Sequence, residues 1–380
     1  MKHRTGRLEA WVVRPGELDP AERAAWRAMQ DLTPQFGNPL LGPDFAAAVG
    51  EVRDDARVAV FHRKGEPVGF LAFHRRPRGF ARPIGAPLAD YHALVCAPDD
   101  APEPARALAA AGIAALRMTS LVDPFEAFEG SVESRVWAHR IVLDEAGASP
   151  LDELLAGGSN LKKNHRRYRR ALEREVGEVR LAPDDRNVDA FETLMGWKRE
   201  QFVRTGRQDV LAASWTAELM RRLFARRCAG FGGRLISLYA GDRLVAGHFG
   251  VRQNGWYHPW ISAYDPGLAQ LSPGAVHQVE AIAAMADAGL TTYDLGPSGD
   301  HWKGRFSHDG QWVGVGLATA PTMVGVMARQ SERLMSPLLK APMLNRIRNR
   351  LDHIAALEPT LGGRLQAVAL GSQRIWKWAQ

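Results

Sequence analysis

Cysteine is the scarcest informative residue in this chain. Cys96 and Cys228 are the only two in 380 residues. Two in this length make no disulfide framework, and neither sits at a metal-ligand spacing, so a reducing, cytoplasmic setting is expected and no metal site is read. The strand-turn-helix elbow of serine hydrolases, the glycine-rich phosphate loop of nucleotide hydrolases and the cysteine-histidine patterns of zinc sites are all missing. A basic start, Met1-Lys2-His3-Arg4, is followed by no apolar core of signal-peptide length. Residues 310–328 carry no charge. They hold several glycines, Gln311 and Pro321, and their apolar residues alternate at Val313, Val315 and Leu317, which predicts a strand and then a turn rather than a spanning helix.

The composition that is present is ordinary for a globular protein, with 46% hydrophobic and 24% charged residues. Its length suits two domains and an appendage. The formal net charge of +7 favours polyanionic partners such as nucleotide phosphates, nucleic acid or an anionic membrane surface.

The two halves run in parallel. Residues 57–75 read as a hairpin about a Lys-Gly-Glu turn, and residues 234–252 as another about a Gly-Asp-Arg turn. In the first half a helix is expected over Pro43–Val49 and an alanine-rich one over Pro104–Met118, with strands near Leu121–Val122 and Arg135–Val142. Residues 145–150 read as a linker. In the second half helices are expected over Leu151–Leu155, Asn160–Val176, Asp189–Arg204, Ser214–Cys228 and Ala275–Ala288, with strands at Trp256–Ala263 and Thr291–Leu295. Helices before a meander, then a helix and a further strand, predict an α+β fold with mixed sheets. The expected division is 1–150, 151–320 and a basic amphipathic helical tail, 321–380. In that tail Met323, Met327, Leu334, Leu338, Ile347 and Leu351 fall near helical spacing, broken by Pro337 and Pro342.

Cations concentrate in one expected helix, where seven lie between Lys162 and Arg174. Leu161, His165, Tyr168 and Leu172 form a face that can pack. Lys163, Arg166 and Arg167 are then either a solvated surface or a phosphate site for a nucleotide-linked substrate, a lipid headgroup or RNA. No DNA-binding fold signature accompanies them, so sequence-specific DNA binding is not expected. The other chemistry-bearing stretch is 289–306. A strand ending at Gly296-Pro297 delivers Asp294, and the following loop delivers Lys303 and Arg305, a place to handle an anionic substrate.

The order of these motifs resembles the duplicated GNAT (acyl-CoA N-acyltransferase) fold of the FemAB-like superfamily. Within it, the sequence is similar to the branch named after the cellulose-biosynthesis protein CelD (BcsL), which includes polysaccharide-modifying acetyltransferases such as those of holdfast synthesis. The resemblance spans roughly 20–320. It rests on Gly85-Ala-Pro-Leu-Ala-Asp-Tyr-His, on Leu161-Lys-Lys-Asn-His-Arg-Arg-Tyr-Arg-Arg-Ala, on Leu244-Val-Ala-Gly-His-Phe-Gly-Val, on Ala263-Tyr-Asp-Pro with Ser272-Pro-Gly, and on Tyr293-Asp-Leu-Gly-Pro with Trp302-Lys-Gly-Arg-Phe.

Such a resemblance implies two tandem GNAT-like domains and an acyl-CoA donor, with acetyl-CoA the simplest. The donor pyrophosphate would sit at the start of a helix, where the family reads Gln/Arg-x-x-Gly-x-Gly/Ala. The matching residues here are Gln270, Ser272, Gly274 and Ala275, and only Gly274-Ala275 stands for the two-small-residue signature. The resemblance puts His248 in the donor-facing strand as a candidate base, with a buried sheet histidine as the other reading. Asp294 would orient a histidine, take a proton or cap the Gly-Pro turn. Lys303 and Arg305 would hold phosphate or stabilise the oxyanion. Tyr257, Trp260 and Tyr264 stack on a sugar or form core, while Asp90, Tyr91 and His92 line the acceptor side. The acceptor would be a saccharide or a nucleotide- or lipid-linked sugar. Two alternatives are aminoacyl transfer from tRNA to a peptidoglycan precursor, and a non-catalytic protein whose tail meets an anionic membrane or cyclic-di-GMP.

Overall fold

The computed structural model of the chain describes residues 6–143, 151, 160–226, 230–297, 303–307, 309–335, 342–358 and 362. In chain order the strands are β1 (Leu8–Val13), β2 (Ala56–Arg63), β3 (Glu66–Arg75), β4 (Phe80–Pro83), β5 (Leu94–Cys96), β6 (Ala115–Leu121), β7 (Val132–Val142), β8 (Val179–Ala182), β9 (Gly232–Ala240), β10 (Arg243–Gln253), β11 (Trp256–Tyr264), β12 (Thr292–Pro297) and β13 (Asp309–Thr319). The helices are α1 (Pro20–Leu32), α2 (Pro43–Gly50), α3 (Pro104–Ala110), α4 (Asn160–Glu175), α5 (Val188–Arg204), α6 (Ser214–Ala225), α7 (Pro273–Ala283), α8 (Met323–Met335) and α9 (Pro342–Leu357).

Both expected hairpins form. In the first, Lys64 and Gly65 take φ of 57° and 84°, the left-handed pair that a two-residue turn between twisted strands requires. The chain divides into two units, one of Met1–Phe36, Leu40–Arg135 and Gly314–Gln380, the other of Gly37–Pro39 and Val136–Val313.

In the first unit the strand order is β1-β2-β3-β4-β6 and then β13, with β5 on β3. All pairings are antiparallel except β4 with β6. Its core gathers Phe61, Leu71, Phe73, Leu116 and Met118. The expected helix over Pro104–Met118 stops at Ala110, and Ala115–Leu121 is instead a strand. Gly112, at φ +67°, turns the chain, and the next apolar residues pair on both sides within the sheet. Helix α9 packs in this unit through its C-terminal carbonyls. Those of Ala355 and Ala356 accept from Arg76, and that of Leu357 from Arg53. Cations at a helix C-terminus satisfy both its orphan acceptors and its dipole.

The second unit repeats the order as β8-β9-β10-β11-β12 and then β7. Here too the one parallel pair, β11 with β12, is joined through a helix, α7. Val279 and Ile282 of α7 pack with Ile236, Tyr257 and Tyr293 of the sheet. On the other face Phe191 of α5 and Phe224 of α6 stack on each other and meet Phe249 of β10 edge-to-face. The strand after β6 in sequence, β7, thus pairs with β12, and the strand after β12, β13, pairs with β6. The sequence pattern does not reveal β1, α1, β4 or β8. Residues 152–155 of the expected helix and the aromatic end of the tail lie outside the described residues.

Candidate active site

Strands β11 and β12 pair only at Trp256↔Thr292 and Tyr257↔Tyr293. β11 runs on to Tyr264 and β12 to Pro297, so beyond the second pair they part. Asp265 N–H donates to Val245 O on β10, which fixes the alternation along β11. Ser262 and Tyr264 therefore turn their main-chain groups away from β10, towards the side that β12 has left. A free strand edge of this kind receives an extended amide-bearing ligand by main-chain hydrogen bonds.

The candidate donor loop follows directly. Ser272 adopts a left-handed conformation, φ 51° and ψ 49°, and Pro273 opens α7. Pro273 has no N–H, and those of Ala275 and Val276 return to the Ser272 carbonyl. The helix end offers few free donors, so charge must come from elsewhere. Helix α4 supplies it. His165 and Arg169 bond Glu280 of α7 at 2.9 and 2.5 Å and hold that carboxyl below its usual pKa. The hydroxyl of Tyr168 is held by Ser272 and Arg167, which lowers its pKa. Lys163, Arg166, Arg167 and Arg170 stay exposed, and Lys163, Arg166 and Arg170 have no acidic partner among the described residues. Gln270 is exposed and reaches only Gly267 O, at 3.4 Å. A Cβ on Gly274 would stand 3.2 Å from Tyr264 Cδ1.

His248 lies beneath α7. Its Nδ1 is 2.6 Å from the Tyr293 hydroxyl, and its ring centroid is 4.2 Å from that of His277. Burial, then His277 and Lys198, pushes its pKa well down, so the ring is neutral. Burial raises the Tyr293 phenol, which keeps its proton beside the His248 ring. Asp294 is fully buried on the opposite face of β12. One carboxylate oxygen accepts from Gly296 N–H at 2.7 Å, and the other from Asn38 Nδ2 at 2.9 Å. The histidine beside it is His258, at 3.6 Å, not His248.

Lys303 donates to Leu295 O at 2.5 Å and Gly296 O at 3.4 Å, and so holds an ammonium at the end of β12. Arg305 is exposed nearby in sequence. Lys198 of α5 donates to Gln201 Oε1 at 3.0 Å and to Ser262 O, on the free edge of β11, at 3.1 Å. Burial, and then Arg207, lowers its pKa to about 8. Its neighbours Trp197 and Gln201 line a cavity of about 180 Å³ with Glu200, Arg204, Tyr264 and Pro266.

Tyr257 is buried and donates to His248 O, which makes it core. Trp260 is the extra residue where β11 bulges against β10, and Tyr264 lines the cavity and flanks Gly274. Asp90, Tyr91 and His92 belong to the first unit. Tyr91 and His92 are buried there, and burial drops the His92 pKa to about 3. Sequence reasoning missed Lys198, Asn38, His258 and Tyr168. A lysine in an amphipathic helix and an asparagine in a loop carry no local signal. The spacing of Tyr168 marked it only as a packing residue.

Residues 159–304 match the family model described as acetyltransferase (GNAT) domain. No curated protein matches the chain. The structure of FemX superposes with a TM-score of 0.50 at 12% identity, covering 79% of this chain and 96% of that one. The C-terminal domain of a lysylphosphatidylglycerol synthetase from Agrobacterium fabrum gives 0.47 at 12% identity, over 83% and 96%. A tandem GNAT protein from the clavulanic acid biosynthesis pathway gives 0.46 at 14% identity, over 83% and 99%. The fold is that of GNAT proteins, with mixed sheets, and its acetyltransferase domain makes the chain an enzyme of N-acyltransferase type that implies an acyl-CoA donor.

Proposed function

We propose that the chain moves an acetyl or other acyl group from acyl-CoA to an amino or hydroxyl group of a sugar. That sugar belongs to an exopolysaccharide or to its nucleotide- or lipid-linked precursor. One observation carries the donor half of this reading: a strand fork leads to a helix N-terminus whose missing N–H donors are compensated by α4 cations. The acyl-pantetheine arm lies along the edge of β11, and its phosphates lie between Gly274 and Arg167. For the acceptor, Trp197 and Tyr264 offer aromatic faces beside Glu200, Gln201 and Arg204, the mixture that grips a sugar ring and its hydroxyls.

In the reaction the acceptor lone pair attacks the thioester carbonyl carbon while its proton passes to the neutral Lys198 amine. The C–S bond then breaks, and the leaving thiolate takes the proton back. Lys303 steadies negative charge at the end of β12. His248 and Asp294 act through others: the first fixes Tyr293 and Tyr257, the second fixes Asn38 and the end of β12.

Because the Lys198 pKa is lowered to about 8, the amine is protonated below that pH and free above it, so the rate rises with pH through about 8. Thiol release from acetyl-CoA with a panel of amino sugars and nucleotide-linked sugars tests this. Lys198→Met is expected to lower the rate about 10²-fold or more and to abolish the rise, with donor affinity kept. An unchanged rate and profile would remove Lys198 from the chemistry. The density of cations on α4 favours one second reading, an aminoacyl-tRNA donor. RNA copurifying with the protein and released by salt would support it.

A further inference from the structure

Helix α8 is amphipathic in the reverse sense. It docks through Gly325, where an added Cβ would lie 2.2 Å from Ala320 O and 2.7 Å from Ala114 O, and through Glu332, which accepts both N–H groups of Arg117 at 3.0 and 2.9 Å. At about 100° per residue these two mark one side of the helix, and Met323, Met327 and Leu334 fall within about 40° of one another, about 170° away. They are 82%, 61% and 77% exposed. Val326 and the cation Arg333 flank this stripe on one side, and Val324 and Met335 on the other, all exposed, while Arg329 lies towards the docked side and donates to Thr319 Oγ1 at 2.9 Å. A surface helix normally buries its apolar stripe, and this one presents it to solvent.

We propose that the outward face of α8 is a docking surface for an anionic lipid bilayer, with the helix lying in the interface plane. Charge selects this occupant. Two acidic groups beside the helix are paired within the protein, Glu332 with Arg117 and Arg348 and Asp352 with Arg82. Arg333, exposed beside the stripe, sets its sign. Anionic headgroups attract this arginine while the methionines and leucine enter the acyl boundary. No helix among the described residues is long and apolar enough to cross a membrane, so the contact is peripheral.

The test is co-sedimentation of the full chain with vesicles of phosphatidylcholine alone or mixed with phosphatidylglycerol. Binding to the mixed vesicles is expected, with little to the neutral ones. The exposed-residue variant Met323→Gln/Met327→Gln/Leu334→Gln should weaken it about tenfold or more, while Val188→Gln/Val203→Gln, at other exposed apolar positions, should not. Arg333→Gln should lower only the preference for anionic vesicles. Three results would overturn the proposal: no binding, binding indifferent to the triple variant, or a concentration-dependent dimer that the triple variant dissolves. Acetyl-CoA affinity is expected to be the same in every variant, which separates this surface from the donor site.

Discussion

Asp294 is shut off from solvent, and its carboxylate accepts from Gly296 N–H and from Asn38 Nδ2. Removing the carboxylate strands both donors in a dry site, at roughly 1–3 kcal/mol each. Asp294→Ala is therefore expected to destabilise the fold by about 2–5 kcal/mol, read as a lower denaturant midpoint at unchanged slope. An effect under about 0.5 kcal/mol would mean that water replaces the side chain. Capping the Gly-Pro turn is one of three roles the sequence leaves open for Asp294, because an acid before such a turn has a local reason to be there. The sequence did not announce Asn38, which lies 256 positions away from its partner. His248 shows the same limit. Its strand was legible from alternation, but the Tyr293 and His277 rings that hold it neutral come from other elements. Lys198 was invisible for the opposite reason: nothing in a helical lysine reveals that its amine will rest on a strand edge with its pKa lowered.

Among the elements, α4 and α7 work as a pair. Apolar spacing predicted α4 almost to its ends, since Leu172 and Tyr168 have one face to bury. What spacing does not give is the neighbour, so the convergence of Tyr168 on Ser272 emerged only with the fold. If α4 supplies the missing anion affinity, Lys163→Gln/Arg166→Gln/Arg170→Gln should weaken acetyl-CoA binding about tenfold at low salt and flatten its salt dependence, as exposed charges are screened over about 10 Å at 0.1 M. Calorimetry at two ionic strengths checks this, and equal affinity in both proteins would confine donor binding to the loop. The stretch that follows α3 shows where periodicity misleads. Alanines suit a helix, but Gly112 breaks it, and burial between β4 and β13 decides that Ala115–Leu121 is a strand.

For the whole molecule, the repeated hairpins were legible as internal similarity, the first unit's crossover was not, because β6 reads as helix, and each unit has the same strand order. The sixth strand of each was not. β7 and β13 pair with strands distant in sequence, and an alternating apolar pattern says that a strand exists but not with which edge it pairs. The acyl donor is the claim on which the rest depends. Its most direct test is calorimetric titration of the full chain and of Gly274→Val with acetyl-CoA. Saturable binding to the wild type, weakened about tenfold or more in the variant because the new side chain crowds Tyr264 and fills the helix start, is the predicted result. Absence of binding, or binding that Gly274→Val leaves untouched, would contradict a coenzyme A donor held at the start of α7.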